Sequence, residues 1–442
     1  DGLGWHDGKP VTVEDVKFSF DNIFNPELNT AHMRPYYESI NSPEIIDAHT
    51  VRFTAKNDYF GNFDQIGDLA ILPKHYYGDK AQKKDHNKKL LCSGAYKIAS
   101  YEKGKRFILE QNPDWWGRKD PEFSKYWQFK RFVLRFIGEN NVEMESFKKG
   151  DLDFLGLSPE AFMTKTSGPE WGNKVFKVKT TNRTPKGYSY VAWNLKNPIL
   201  ADKEVRLALG MLYNRQLALD KFEFGISALA DGPIPVSSEY HSPKTAPVKF
   251  DPPGALKILQ AAGWKDTDAN GILDKMIGGQ KVQFSLNILA PSPDYTKYVT
   301  IYREEAKKMG VEINIKNIEW NSLIKLIDER KFDAVQMAWG GGDVDIDLKQ
   351  IWHTSSIKGG SNFISYSNPE VDKLIDESRR TFEKEKRLPL LQKASEIISA
   401  ENPYLFMFTP VSVMYGHSKR VEREKDTYNY GVGYSKWALT KP

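Results

Sequence analysis

Apolar and polar positions alternate with two periods along this chain, and each period predicts its own elements. Val13, Val16, Phe20 and Ile23 recur at helical spacing, which predicts a helix over 12–24. Thr12 caps it and Asp15 completes a capping box. His49–Lys56 alternates at period two and predicts a strand, as does Arg131–Ile137. Gly94–Asn112 predicts two strands joined by a turn at Lys103-Gly104, and a helix following Ile137 ends near Gly150. Asp202 is placed to cap one long helix running to about Phe222, with Val205, Leu209, Leu212 and Leu219 on one side. The most regular tract comes next. Val282, Phe284, Leu286 and Ile288 alternate, a helix runs from about Pro293 to a C-cap at Gly310, and Val311–Lys316 alternates again. A helix over about Asn321–Arg330 then leads into the apolar strand Phe332–Ala338. This is β-α-β-α-β, the pattern of a mostly parallel sheet. Asn368-Pro369-Glu370 opens a further helix, with a cap, a proline in the first turn and an acid behind it.

The last strand of that unit ends oddly. Trp339 is followed by Gly340, Gly341 and Gly342, then by Asp343, Asp345 and Asp347 at alternate positions. Open α/β sheets bind ligands beyond the carboxyl ends of their strands. An indole gives a flat wall there, glycines let a ligand approach bare backbone, and carboxylates suit an amine or a metal. The competing reading is a solvated turn, in which glycine bends and aspartate solubilises.

Composition narrows the class. The chain has 442 residues, enough for about three domains. Basic and acidic residues nearly balance, 63 against 58, and no basic stripe is interleaved with aromatics, so nucleic acid is not the expected partner. No apolar run approaches the ~18 residues of a membrane span. Cys92 is the sole cysteine, which excludes an internal disulfide; it is expected to be buried and structural.

Candidate chemistry is sparse. Asp266, Asp268, Asn270 and Asp274 are spaced like the first nine positions of a calcium loop, but the twelfth position is Ile277 rather than glutamate. An Asx-rich turn is the preferred reading, with a calcium site as the alternative. A divalent metal at Asp343–Asp347 would lack a histidine pair; His353 is the nearest histidine. The nucleophile elbow, the zinc-protease helix, the phosphate loop and the dinucleotide fingerprint are all missing. No enzyme and no cofactor are expected.

Long stretches nevertheless resemble a known family. Trp5–Glu27, Cys92–Gly117, Lys196–Gln216, Ala255–Lys275 and Asn362–Ser378 are similar, in order, to segments of the bacterial extracellular solute-binding proteins that serve peptide and nickel ABC transporters. The resemblance implies an α/β, two-lobed periplasmic binding protein-like fold of type II, three-domain peptide-binding class, with mixed sheets and hinge strands. It implies a small lobe over 1–87, a large lobe over 88–196 with 416–442, and a third domain over 197–415. The hinge would run near Ser189–Asn194 and Pro410–Tyr415. It also implies that residues precede Asp1, a signal peptide among them. The expected ligand is an extended solute, a peptide first, with nickel, haem or an oligosaccharide as alternatives, and a hydrolase is the rival reading ranked below them. The expected partners are membrane permease subunits, and the expected state is a periplasmic monomer. In peptide-binding relatives a Trp-x-x-Asp motif sets an aspartate on the ligand's amino terminus. Trp339 matches the tryptophan, but position 342 is glycine, so the anchor is Asp343 in a shifted loop or is absent. Tyr190 and Tyr36 resemble cleft-lining positions.

Overall fold

The computed structural model describes residues 2–79, 86, 89–342 and 344–440. Helix α1 (Val13–Ile23) starts where the pattern places it, with the Asp15 carboxylate accepting the Thr12 backbone N–H at 2.9 Å. Asp15 also accepts the Trp5 indole N–H and the Lys74 amide, so a buried carboxylate is fully used. Phe20 and Ile23 pack against Tyr37 of α2 (Arg34–Tyr37) and Ile40. The expected strand over 49–56 is realised only as β2 (Thr50–Arg52), because its antiparallel partner β1 (Glu44–Asp47) is itself four residues long. Short helices α3 (Asn62–Gly67) and α4 (Lys74–Tyr77) complete this segment.

Strands β3 (Tyr96–Glu102), β4 (Arg106–Gln111) and β5 (Arg131–Arg135) form an antiparallel sheet, with Gly104 at φ 71° in the predicted turn. Helix α5 (Asn140–Lys149) ends on Gly150 at φ 90°, a left-handed cap that costs glycine little. There follow β6 (Phe154–Gly156), α6 (Pro159–Thr164), β7 (Val175–Thr180) and β8 (Tyr188–Trp193).

The predicted helix from Asp202 to Phe222 is in fact two, α7 (Lys203–Met211) and α8 (Arg215–Phe222). Asn214 caps the second, accepting the Leu217 N–H at 2.9 Å. Arg215 turns inward, buried, to donate to the carbonyls of Phe406 and Val248. Continuous helix would point that guanidinium elsewhere, so a tertiary demand breaks a locally helical sequence. After β9 (Ala228–Leu229) and α9 (Pro252–Ala261), β10 (Asp274–Ile277) pairs with β11 (Gln280–Gln283).

The β-α-β-α-β unit is present: β12 (Ser285–Ala290), α10 (Pro293–Lys308), β13 (Glu312–Asn317), α11 (Trp320–Asp328) and β14 (Ala334–Trp339). The remaining elements are α12 (Lys349–Trp352), α13 (Pro369–Arg380), α14 (Lys384–Glu401), β15 (Tyr404–Phe406), β16 (Phe408–Thr409), β17 (Val413–Ser418), β18 (Val421–Glu422) and β19 (Ala438–Leu439). Five strands form one sheet in the order β13-β12-β14-β8-β15. The first three are parallel, and β8 runs antiparallel to both of its neighbours, so the sheet is mixed. One face is covered by α7, α9 and α10, around Leu209, Leu259 and Tyr302. The other is covered by α11 to α14, around Leu323, Trp352, Ile375 and Leu391. Helices on both faces explain why β14 reads as a nearly continuous apolar run.

A second, three-stranded sheet has the order β6-β17-β7. The chain therefore passes between the two sheets twice, through residues 181–187 and 410–412. β8 lies in the five-stranded sheet and β17 in the three-stranded one. Among the described residues no helix is long and apolar enough to cross a membrane.

Candidate functional site

The carboxyl end of β14 meets the first of these crossings. Trp339 pairs with Tyr188 at the end of the β14–β8 ladder, and Gly340 and Gly341 continue past Pro185–Gly187. The two segments pack backbone to backbone. A methyl group on Gly187 would overlap the Trp339 carbonyl, and one on Gly341 would overlap the Pro185 carbonyl. Gly341 is thus required by a neighbouring stretch of the same chain. Around Gly340 and Gly342 a methyl would meet nothing within 4 Å, so these two leave backbone open in the way the sequence suggested.

This ribbon separates two cavities. The first, ≈ 540 Å³, is lined by Tyr36, Tyr188, Trp339, Gly340, Gly342 and Asp345 among others. The second, ≈ 450 Å³, is lined by Lys186, Glu223, Tyr298, Gln336, Gly341 and Phe408 among others. Trp339, half-buried, borders both. Its ring lies 5.8 Å from that of Tyr190, which in turn stacks on Tyr404 at 4.3 Å and 11°. Tyr190 is fully buried and lines neither cavity. It backs the indole from within the core rather than facing a ligand. Burial pushes its phenol well above the usual range, with the neighbouring Tyr404 and Tyr188 adding to the effect.

Asp343 lies outside the described residues. The other two aspartates of the loop are committed to arginines. Asp345 accepts from Arg387 at 2.9 Å and from the Tyr240 hydroxyl. Asp347 accepts from Arg379 and from the Tyr59 hydroxyl, at 2.9 and 3.0 Å. Arg379 and Asp347 are both nearly inaccessible, 6% and 7% exposed at their side chains, so this pair is a buried one. Burial, then the bond to Asp345, raises the Tyr240 phenol to about 12. Tyr59 is raised further, by burial and then by Asp347. The guanidiniums are also stacked, Arg379 over Tyr59 and Arg387 over Phe60, each 4.0 Å from the ring centroid.

These contacts dock the N-terminal segment against the five-stranded body. Arg379 donates to the Pro35 carbonyl at 2.8 Å, Lys349 pairs with Glu38, and the Tyr36 hydroxyl donates to Gln350. Tyr36 therefore sits on the first cavity while fixed to the opposite body. Asp345 and Asp347 turn out to be a mount for the loop. Nothing in the local sequence marked their partners, which lie in helices α13 and α14, more than 30 residues on. Lys186, Gly187, Glu223 and Gln336 also escaped the sequence reading, since each stands in an ordinary context and only the fold brings it to the ribbon.

Asp266, Asp268 and Asp274 do converge, with carboxylate oxygens within 4.8 Å of one another. The ammonium of Lys281 sits among them, 2.8 Å from Asp268 and 3.2 Å from Asp274. Asp266 accepts the Asn270 and Gly271 amides, and Asn270 accepts the Ile272 amide. The loop closes as an Asx-rich turn around an internal cation. Burial would raise the Asp274 carboxyl, but the amide and hydroxyl of Thr267 and the Lys281 ammonium outweigh it and hold it low. Cys92, expected to be buried, is exposed, because residues 89–94, which lead into β3, lie at the surface.

Comparison with known proteins agrees with this architecture. The model of the bacterial extracellular solute-binding proteins, family 5 Middle, matches residues 1–359. The oligopeptide-binding protein AppA of Bacillus subtilis (strain 168) is 27% identical over 456 residues, covering 100% of this chain and 80% of that one. The solved structure of Bacillus subtilis AppA in complex with a nonapeptide matches with a TM-score of 0.87 and 26% identity, over 100% of this chain and 86% of that one. NikZ from Campylobacter jejuni, in complex with Ni(L-His), matches with a TM-score of 0.81 and 21% identity, over 99% and 86%.

Proposed function

Because this chain belongs to the bacterial extracellular solute-binding proteins of family 5, we propose that its two cavities hold one extended solute, a peptide, for delivery to a membrane permease. The protein is a substrate-binding component of an ABC transporter, with the two-lobed α/β fold and mixed sheets of its family. The observation that carries the ligand assignment is the glycine ribbon. It offers open backbone at Gly340 and Gly342 between two cavities, with an indole as the common wall. An extended chain recognised through its own backbone fits that surface. The AppA structure, similar over the whole of this chain, holds a nonapeptide.

The two bodies move about the crossings at 181–187 and 410–412, which serve as the hinge between a large lobe and the third domain. No covalent chemistry is required. The ligand closes the lobes only through its differential affinity for the closed form, and a swing from 1:99 to 99:1 takes about 5.5 kcal/mol. Trp339, Gly340, Gly342 and Tyr36 contact the ligand, Asp343 takes its amino terminus, and Asp345 and Asp347 hold the loop. The protein works as a monomer outside the inner membrane.

Native mass spectrometry of freshly purified protein tests the assignment. Co-purified peptides are the expected result. A bound nickel complex, haem or oligosaccharide would replace the solute while keeping the carrier role. Reproducible turnover of peptides with a defined pH profile would overturn the reading of a pure binding protein.

A further inference from the structure

The second cavity carries acceptors that the protein itself does not satisfy. Gln336 is 1% exposed, yet its Oε1 has no hydrogen-bond partner among the described residues. It lies on β14 opposite Val191, on the sheet face away from the Tyr190–Trp339 stack, and lines the cavity. A buried acceptor left unpaired is costly unless a ligand or water meets it. Glu223 lines the same cavity. Its two oxygens accept from neutral hydroxyls only, those of Tyr298 and, at 2.7 Å, Ser227. No cation among the described residues comes within 4.0 Å of it. Lys297, next to Tyr298, is paired with Glu160 at 2.6 Å. Lys186 borders both cavities, but its ammonium bonds Asn182 at 2.9 Å, and Asn182 lines the first cavity and not the second. The walls add aromatic faces, with the rings of Tyr298 and Phe408 5.7 Å apart.

We infer that the second cavity, through Glu223 and Gln336, is a subsite for a cationic, hydrogen-bond-donating side chain, that of lysine or arginine in an extended peptide; this rests on the peptide-binding reading above. The uncompensated carboxylate supplies charge, the glutamine acceptor supplies direction, and the tyrosine and phenylalanine faces suit an ammonium or guanidinium stem. Among the described residues the first cavity presents the opposite balance. Asp345 and Asp347 are neutralised by their arginines and Glu239 by Lys384, whereas the Lys186 ammonium has no carboxylate within 4.0 Å among the described residues. The ligand's cationic side chain, as distinct from its amino terminus, is therefore steered past the ribbon into the second cavity.

The full chain is incubated with a random-sequence library of peptides of three to nine residues, and the retained peptides are sequenced by mass spectrometry. The expected result is enrichment of lysine and arginine by about tenfold, as a charge-assisted hydrogen bond provides. In Glu223→Gln that enrichment disappears, and in Gln336→Leu it falls. Retained peptides with no such enrichment in the wild-type protein overturn the subsite, as does enrichment that persists in Glu223→Gln. If a variant fails to fold by circular dichroism, the wild-type composition alone decides. Retention of no peptide at all is a different result, which refutes the peptide-binding reading and the subsite with it.

Discussion

The glycines at the ribbon divide into two kinds, and alanine substitution separates them. In Gly187→Ala the new methyl meets the carbonyl oxygen of Trp339 far inside the 3.0 Å that real side chains respect, and the carbonyl carbons of Trp339 and Gly340 just inside it. Those atoms are backbone and cannot rotate away, so the two segments must part. Overpacking of this kind costs about 1–3 kcal/mol. The cost falls on the ligand-free protein, because the contact is internal to the chain. Urea unfolding without ligand should show it as a lower midpoint at unchanged slope. Gly341→Ala, which meets the Pro185 carbonyl, should behave alike. In Gly340→Ala the methyl meets nothing within 4 Å, and the stability should stay within about 0.5 kcal/mol of wild type. Calorimetric titration with the retained peptides should instead show weaker binding, because the methyl enters the space that the proposed ligand backbone would occupy. A Gly187→Ala protein as stable as wild type would refute the packing argument. A Gly340→Ala protein with unaltered affinity would refute the contact.

Four further outcomes follow from the same geometry. Asp347→Asn leaves Arg379 buried without its carboxylate, and loss of a buried pair costs about 3–5 kcal/mol; segment 5–79 should become sensitive to limited proteolysis, and unchanged resistance would show that the pair does not hold it. Asp343→Asn should weaken a peptide with a free amino terminus about tenfold while sparing its N-acetylated form, and equal effects on both by calorimetry would remove Asp343 as the anchor. Trp339→Ala should lower peptide affinity by a similar factor, with an unchanged titration moving the site elsewhere. His417 is buried and its imidazole is held below its ordinary value, chiefly by desolvation. The unfolded chain binds the proton first, so this contribution is intact above about pH 6.5 and is lost as pH falls below it; His417→Gln should flatten the fall of the urea midpoint below about pH 6.5, and an unaltered pH profile would refute the assignment.

Periodicity and caps alone located α1, α10, α11, α13 and the strands β3, β4, β12, β13 and β14, since those signals are local and each element's apolar face matches its buried face. The β-α-β-α-β order was enough to point to a candidate site beyond Trp339, because the carboxyl ends of parallel strands leave backbone groups free. What the residues did not reveal was set by partners distant in the chain. Arg215 reaches carbonyls at 248 and 406 and splits a helix that local propensity would continue. Arg379 and Arg387 claim two aspartates that look like ligand groups from the sequence. Lys281 fills the acidic loop that looks like a calcium site. Pro185, far before Gly341 in the chain, decides that this glycine of the three is structural. Short-range pattern fixes whether a segment is helix or strand. Which polar group remains unpaired, and so available to a ligand, depends on contacts that only the folded chain brings together.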